Sequence, residues 1–171
     1  MKPLELVDME ISRYHWAGMR CGCRRSAEHL AGDLRRVAGA RTQAEVDEVR
    51  LEGHVVQVGA YDPALAVTSV VLAALADDVS PVARACLTDL LLGILSADGQ
   101  SLELAAEGRD MVFECQEAAR RGTWTLYAEI MSGRDIDAAN NSFECLVVID
   151  EDEDRLSRIR QLAGTRIGPD L

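Results

Sequence analysis

The sequence predicts an all-α fold, a short α-solenoid of about seven to eight helices packed as antiparallel pairs. Three observations support this prediction. Apolar residues recur at three- and four-residue steps through most of the chain, glycines follow the ends of these segments, and aromatic residues make up only 4% of the composition. A length of 171 residues suits one domain, so we expect residues 1–171 to form a single helical unit.

The N-terminal segment, residues 1–25, is predicted to be irregular, because Gly18 and Gly22 interrupt any long helix. Trp16 is expected to pack this segment onto the body of the domain. From Ser26 the apolar residues fall on one face of a helix that ends near Gly39. They are Ala27, Leu30, Leu34, Val37 and Ala38.

The next stretch begins with a recognisable helix start. Thr42 and Glu45 have the spacing of a capping box, which predicts a short helix after them. Residues 54–62 fit either an extended strand or a buried connector. A helix is then predicted over residues 64–76, preceded by Pro63.

The clearest helix boundary lies at Ser80 and Pro81. Ser80 is a favourable N-cap, and Pro81 suits the first helical position because its missing N–H has no partner there in any case. The helix that follows, up to Leu95, is apolar on nearly all sides. Such a helix is typical of a buried position covered on both flanks.

The C-terminal half is predicted to continue with helices separated by glycines. They cover a short turn at 102–106 and longer segments at 109–121, 124–131, 136–149 and 153–163. Residues 143–149 alone would fit a strand, but the alanines before them favour a helix. Residues 165–171 are expected to form a frayed tail.

The net charge of −11 is unevenly distributed. Residues 1–50 contain nine basic and eight acidic residues, whereas residues 51–171 contain nine basic and twenty-one acidic residues. This balance argues against nucleic acid and against an anionic membrane as partners, and it favours a basic protein. The N-terminus does not fit a secretory signal, and the five cysteines are expected to be reduced thiols, so the predicted location is cytoplasmic.

Acidic residues supply the candidate partner-binding surface. The uninterrupted run is Asp150, Glu151, Asp152, Glu153 and Asp154, and we add Asp77 and Asp78 to the same set. The run lacks the glycine and the spaced ligands of a calcium-binding loop. It also suits the start of the last helix, which negative charge stabilises. Trp124 and Tyr127 share one helical face and are predicted to lie in the core.

A second group has the residue types of a zinc site. Its members are His15, Cys21, Cys23 and His29. Zinc accepts two thiolates and two imidazoles, but the usual knuckle places two residues between its cysteines, and here there is only one. His29 is also expected to face the core beside Leu30, so we predict packing residues and no metal or other cofactor.

The remaining histidine and cysteines are predicted to be structural. No nucleophile or paired carboxylate stands at a motif spacing beside His54, so its ring is expected to bond a backbone carbonyl. Cys86, Cys115 and Cys145 lie among apolar neighbours and are expected to pack in the core.

The segment around Asp77, Pro81 and Arg84 resembles the second helix of a HEAT repeat. A second pair of predicted helices, 124–131 and 136–149, is similar to a degenerate copy that lacks the proline and the arginine. Trp16, residues 25–30 and residues 52–55 resemble a bacterial group of HEAT-like proteins. In that group a tryptophan precedes the first helix, and a Gly-His loop precedes a later one.

This resemblance implies a non-enzymatic protein-binding scaffold, since HEAT-like repeats present stacked helices to other proteins. Small acidic bacterial examples resemble immunity proteins, which neutralise a toxin, and a basic toxin would suit the negative charge here. The alternatives are a metal-dependent regulator or enzyme that uses the His15, Cys21, Cys23 and His29 group, and a structural subunit that dimerises through the helix containing Trp124. We expect a monomer or a weak homodimer.

Overall fold

The computed structural model describes residues 4–169 of the chain. Over these residues the regular structure is entirely helical, with isolated β-bridges but no strand. The ten α-helices are α1 (Glu5–Ser12), α2 (Glu28–Gly39), α3 (Gln43–Asp47), α4 (Ala64–Ala76), α5 (Pro81–Leu95), α6 (Leu102–Ala106), α7 (Met111–Arg121), α8 (Thr123–Ser132), α9 (Ile136–Ile149) and α10 (Glu153–Ala163). Short 3₁₀ turns follow at Trp16–Gly18 and Gly164–Arg166.

The predicted all-α class and the two helix starts predicted from capping residues are confirmed. Ser80 caps α5, since its hydroxyl oxygen accepts from the Ala83 N–H at 3.2 Å. Thr42 and Glu45 form the capping box of α3, each side chain bonding the other's backbone amide. The stretch that also fitted a strand, residues 143–149, belongs to α9.

Three expectations are corrected. The segment predicted to be irregular contains α1, because Val7 and Ile11 lie one turn apart and both are buried; residues 1–3 lie outside the described residues. The helix count is ten among the described residues, above the predicted seven to eight. The tail is held rather than frayed as far as residue 169, since Ile167 is buried and the Gly168 N–H donates to the Asn140 side chain at 2.8 Å.

The core is centred on the two most apolar helices, α4 and α5. Helix α4 contacts α1, α7 and α8, and helix α5 contacts α2 and, most extensively, α9. Alanine and valine on α4 allow close approach on several sides. The consequence is that both helices are enclosed by neighbours.

One charged pair lies inside this core. Arg84 on α5 and Glu129 on α8 are 1% and 3% exposed, and Arg84 Nη1 lies 2.5 Å from Glu129 Oε2. Arg84 also donates to the backbone oxygens of Leu75, Asp77 and Val79. The arginine therefore ties the turn between α4 and α5 to α8 and satisfies carbonyls that would otherwise lack donors.

None of the helices within residues 4–169 has both the length and the apolar character needed to cross a bilayer.

Candidate functional site

Two regions of the molecule gather chemically reactive or charged side chains. The first, here called the Cys/His cluster, consists of Cys21, Cys23, His29 and His54. The second, here called the acidic groove, is an open depression of about 970 Å³ formed where α7, the end of α9 and the start of α10 meet.

A tight loop positions the two cysteines of the cluster. Arg20 and Ser26 form an antiparallel bridge, and within it the Cys21 N–H donates to the Arg25 oxygen at 2.9 Å. Arg24 closes the loop with a left-handed φ of 65°, and its N–H donates to the Cys21 oxygen at 2.9 Å. The loop ends at the first turn of α2, which supplies His29.

The fourth residue comes from a separate loop that packs against the first. The Gly22 N–H donates to the His54 oxygen at 3.0 Å. A Cβ on Gly22 would overlap the Gly53 oxygen and lie 2.6 Å from the Tyr61 ring, so this approach requires glycine. Gly53 itself has a left-handed φ of 72°, which turns the chain so that the imidazole of His54 lies beside Cys21.

The ligand atoms of the four side chains all lie within 4.8 Å of one another. His54 Nδ1 is 3.1 Å from Cys21 Sγ and 3.1 Å from His29 Nε2, and Cys21 Sγ is 3.8 Å from His29 Nε2. His29 Nδ1 lies 3.1 Å from the Ser26 oxygen. Since that carbonyl can only accept, Nδ1 is the protonated nitrogen, and the Nε2 lone pair faces the cluster.

The surroundings of the cluster affect its thiols differently. Burial raises the pKa of the Cys21 thiol to about 11. For Cys23 desolvation is the largest single influence and raises the pKa, but the hydrogen bonds from Cys21 and Arg25 together outweigh it, so the pKa is lowered. Partial burial and the neighbouring His29 lower the pKa of His54, which favours the neutral imidazole that binds metals.

The structure brings together three of the four metal-ligand candidates and replaces the fourth. His15 is exposed and lies over the 3₁₀ turn at Gly18, outside the cluster. Two predictions about the other histidines are wrong. His29 is exposed whereas Leu30 is buried, and the His54 ring contacts Cys21 and His29 rather than a backbone carbonyl. The dipeptide Gly53-His54 indicates a turn, but no sequence pattern predicts that this turn contacts the loop at 20–26.

The acidic groove is lined by six carboxylates and two guanidinium groups. The acids are Glu117, Asp150, Glu151, Asp152, Glu153 and Asp154, and the bases are Arg120 and Arg155. Arg120 pairs with Glu117, and Arg155 pairs with Asp150. Among the described residues, the exposed Glu151, Glu153 and Asp154 have no ion-pair partner. The groove is therefore strongly negative.

Asp150 differs from the other acids of the run because its side chain is only 3% exposed and its carboxylate is fully bonded. Its carboxylate accepts from Arg155 at 2.5 and 2.9 Å, from the Tyr127 hydroxyl at 2.6 Å and from the Asp152 N–H at 3.1 Å. The Arg155 bond lowers the pKa of Asp150 to about 2. Asp152 caps α10 through the Arg155 N–H at 2.9 Å, so the capping interpretation of this run is confirmed for Asp152.

Beside the groove stands an aromatic pair, and here the prediction is half wrong. Tyr127 is buried, but Trp124 is 72% exposed. The rings lie 5.4 Å apart, and the Arg155 guanidinium is 5.9 Å from the Trp124 centroid and 5.8 Å from the Tyr127 centroid. Trp124 lies in the first turn of α8, and its indole faces solvent because Leu126 and Ile130 supply the buried face of that helix.

The remaining candidates lie elsewhere. Asp77 accepts the Leu6 N–H at 3.1 Å and so holds α1 against the C-terminal end of α4, and neither Asp77 nor Asp78 lines the groove. Cys115 and Cys145 are buried as predicted, whereas Cys86 is only half-buried.

Comparisons with protein-family models, with curated proteins and with solved structures found no match to this chain. The functional argument therefore depends on the geometry of the two regions.

Proposed function

We propose that this protein is a non-catalytic helical scaffold that binds a basic protein through the acidic groove. The observation that carries the proposal is the exposed Trp124 beside a groove lined by six carboxylates. Large exposed aromatics next to charged depressions are typical anchors of protein interfaces, since tryptophan contributes much contact area and little entropy loss.

Charge complementarity supports a basic partner. Glu151, Glu153 and Asp154 are exposed and without a cation among the described residues, so a partner's lysine or arginine gains ion pairs without displacing existing ones. The same field accelerates association, and this acceleration weakens as salt screens it.

The order of helix contacts supports a HEAT-like solenoid as the scaffold. The pair α4 and α5 packs against later helices so that α4 meets α7 and α8 while α5 meets α9. Arg84 of the HEAT-like segment is buried at the turn between its two helices. Together with the acidic charge, this arrangement favours an immunity-type inhibitor of a basic bacterial toxin as the most specific form of the proposal.

The test compares two variants with the same change of charge. E151Q/E153Q/D154N neutralises the three acids of the groove that have no ion-pair partner among the described residues, whereas E48Q/E52Q/D98N neutralises three exposed acids that do not line it. Proteins captured by the wild type and by each variant from cells of the source organism are quantified by mass spectrometry. A purified candidate partner is then mixed with each in stopped-flow experiments at several salt concentrations.

We expect a basic partner that the control variant retains and the groove variant loses, with association slowed about tenfold or more at low salt. The proposal is contradicted if both variants retain the same partners, or if the partner that depends on the groove is acidic.

A further inference from the structure

We propose that the Cys/His cluster is a zinc site, with Cys21, Cys23, His29 and His54 as its four ligands. The site is separate from the acidic groove and does not depend on the scaffold proposal. The four residues come from three segments: the loop at 20–26, the first turn of α2 and the turn at 53–54.

The first argument is geometric. A tetrahedral zinc ion about 2.3 Å from sulfur and about 2.0 Å from nitrogen holds two nitrogens about 3.3 Å apart and a sulfur and a nitrogen about 3.5 Å apart. The observed distances are 3.1 Å between the two imidazole nitrogens, and 3.1 and 3.8 Å from Cys21 Sγ to those nitrogens. Shifts of a few tenths of an ångström would bring these three atoms into tetrahedral positions, and Cys23 Sγ, which lies within 4.8 Å of them, would move further to complete the coordination.

The second argument is the outer shell. A histidine that binds a metal donates its other ring nitrogen to a carbonyl or a carboxylate, which fixes the tautomer. His29 meets this requirement, because its Nδ1 bonds the Ser26 oxygen while its Nε2 faces the cluster. This bond orients the ring for coordination even though the imidazole is exposed.

The third argument concerns the backbone that brings the loops together. Gly22 and Gly53 allow a contact that a Cβ at Gly22 would prevent, and the Gly22 N–H to His54 oxygen bond closes it. A non-glycine residue, Arg24, adopts a left-handed φ in the same loop. Strain of this kind persists only where surrounding interactions enforce it, and a metal held by both loops would provide such an interaction.

The ligand set identifies the ion class and the role. Two thiolates and two imidazoles suit Zn²⁺, and the bound state is electrically neutral once the two thiol protons are released to solvent. Four protein ligands leave no open position for a substrate, so the ion is structural. It would join the loop before α2 to the loop before α4.

The experiment uses the reduced full-length chain. Wild-type protein is stripped with a chelator, dialysed, and titrated with Zn²⁺ against a chromophoric competitor, and separately with Co²⁺. The variants C23S and H54Q remove ligands, while C86S and H15Q remove the same residue types outside the cluster. Circular dichroism verifies that each variant is helical.

We expect one Zn²⁺ per chain and, with Co²⁺, the intense visible absorption of a tetrahedral site together with thiolate charge-transfer bands. C23S and H54Q should weaken zinc binding by at least about 100-fold, the upper end of the effect of losing an outer-shell partner, and C86S and H15Q should leave it unchanged. If a ligand variant fails to fold, the Zn²⁺ and Co²⁺ titrations of the wild type and of the control variants still test whether the chain binds one zinc ion. The proposal is overturned if the wild type binds less than one equivalent, if the cobalt spectrum is octahedral, or if a folded ligand variant binds like the controls.

Discussion

The Cys/His cluster and the acidic groove bring polar groups together in opposite ways. In the cluster, two thiols and an imidazole that are close in sequence face the imidazole of His54, which comes from a separate loop. In the groove, acids that are neighbours in sequence stand side by side, and the buried member, Asp150, is already paired with Arg155. The comparison indicates that the first region gathers groups with the ligand chemistry of a metal site, whereas the second pairs its least exposed acid internally and presents the other charges to solvent.

The largest expected effect on the free energy of unfolding comes from the buried ion pair in the core, which belongs to neither region. Replacing Arg84 by Met leaves Glu129 as a buried carboxylate without a cation, and three carbonyls lose their donor. We expect the free energy of unfolding to fall by about 3–5 kcal/mol, measured by urea denaturation.

The double variant R84M/E129M is the control, because removing both charges eliminates the unpaired ion. Its free energy of unfolding should lie between those of R84M and the wild type, because the hydrogen bonds from Arg84 to the three carbonyls are still absent. A single-variant loss below about 1 kcal/mol would contradict the view that Arg84 holds the turn between α4 and α5 to α8.

The next prediction follows urea unfolding in each region through the tryptophan that lies in or beside it. Trp16 is buried in the same core as Cys21, and Trp124 stands beside the groove. In the zinc-loaded protein, a ligand present at about 1,000 times its dissociation constant contributes about 4 kcal/mol. We therefore expect chelation to lower the urea midpoint seen by Trp16 in W124F and the midpoint seen by Trp124 in W16F by similar amounts, because both tryptophans report the unfolding of a chain with one continuous core. Equal midpoints with and without chelator, at both tryptophans, would refute this expectation.

A smaller effect belongs to the paired acid of the groove. Because the folded pKa of Asp150 is lowered to about 2, its contribution is fully present above the unfolded pKa of about 3.9 and is lost as pH falls through the folded value. We expect D150N to lose roughly 2 kcal/mol at pH 7 and to show less acid destabilisation between about pH 4 and pH 2.

D152N is the matched control, since asparagine caps a helix as well as aspartate does. It should leave the free energy of unfolding nearly unchanged at pH 7. If D150N and D152N behave alike in acid, the bonds from Arg155 and Tyr127 do not hold the Asp150 charge.

Helix boundaries could be predicted because they depend on local chemistry. The Ser80 cap, the Pro81 start and the capping box at Thr42 are decided within a few residues, and each is present as predicted. Helix α1 was missed because its buried face is short and depends on contact with α4, which no local pattern reveals.

The candidate sites could be predicted only in part, for the same reason. Cys21, Cys23 and His29 are close in sequence and were found together, but His54 joins them through a contact between two loops that depends on Gly22. The acidic run from Asp150 to Asp154 can be recognised in the sequence. That Asp150 is bonded while its neighbours are exposed could not be predicted, because it depends on contacts with Arg155 and Tyr127.

The smallest expected effect on stability compares the same residue type in the two regions. Trp124 is 72% exposed and Trp16 is 6% exposed. W124A should change the free energy of unfolding by less than about 1 kcal/mol, whereas W16A should lose about 3–5 kcal/mol, since its ring is buried and its Nε1 donates to the Ile11 oxygen at 2.9 Å.

W124A is therefore the cleanest test of the groove as a docking surface, because the fold survives while the proposed anchor is removed. Truncating an interface tryptophan costs 2 kcal/mol or more of binding free energy at a hot spot, so we expect at least about a 30-fold weaker complex, measured by calorimetry with the captured basic partner. F113A, which shortens another exposed aromatic that does not line the groove, should bind as the wild type does. Equal weakening by both variants would mean that the partner recognises general surface hydrophobicity, and unchanged binding by W124A would move the docking surface away from α8.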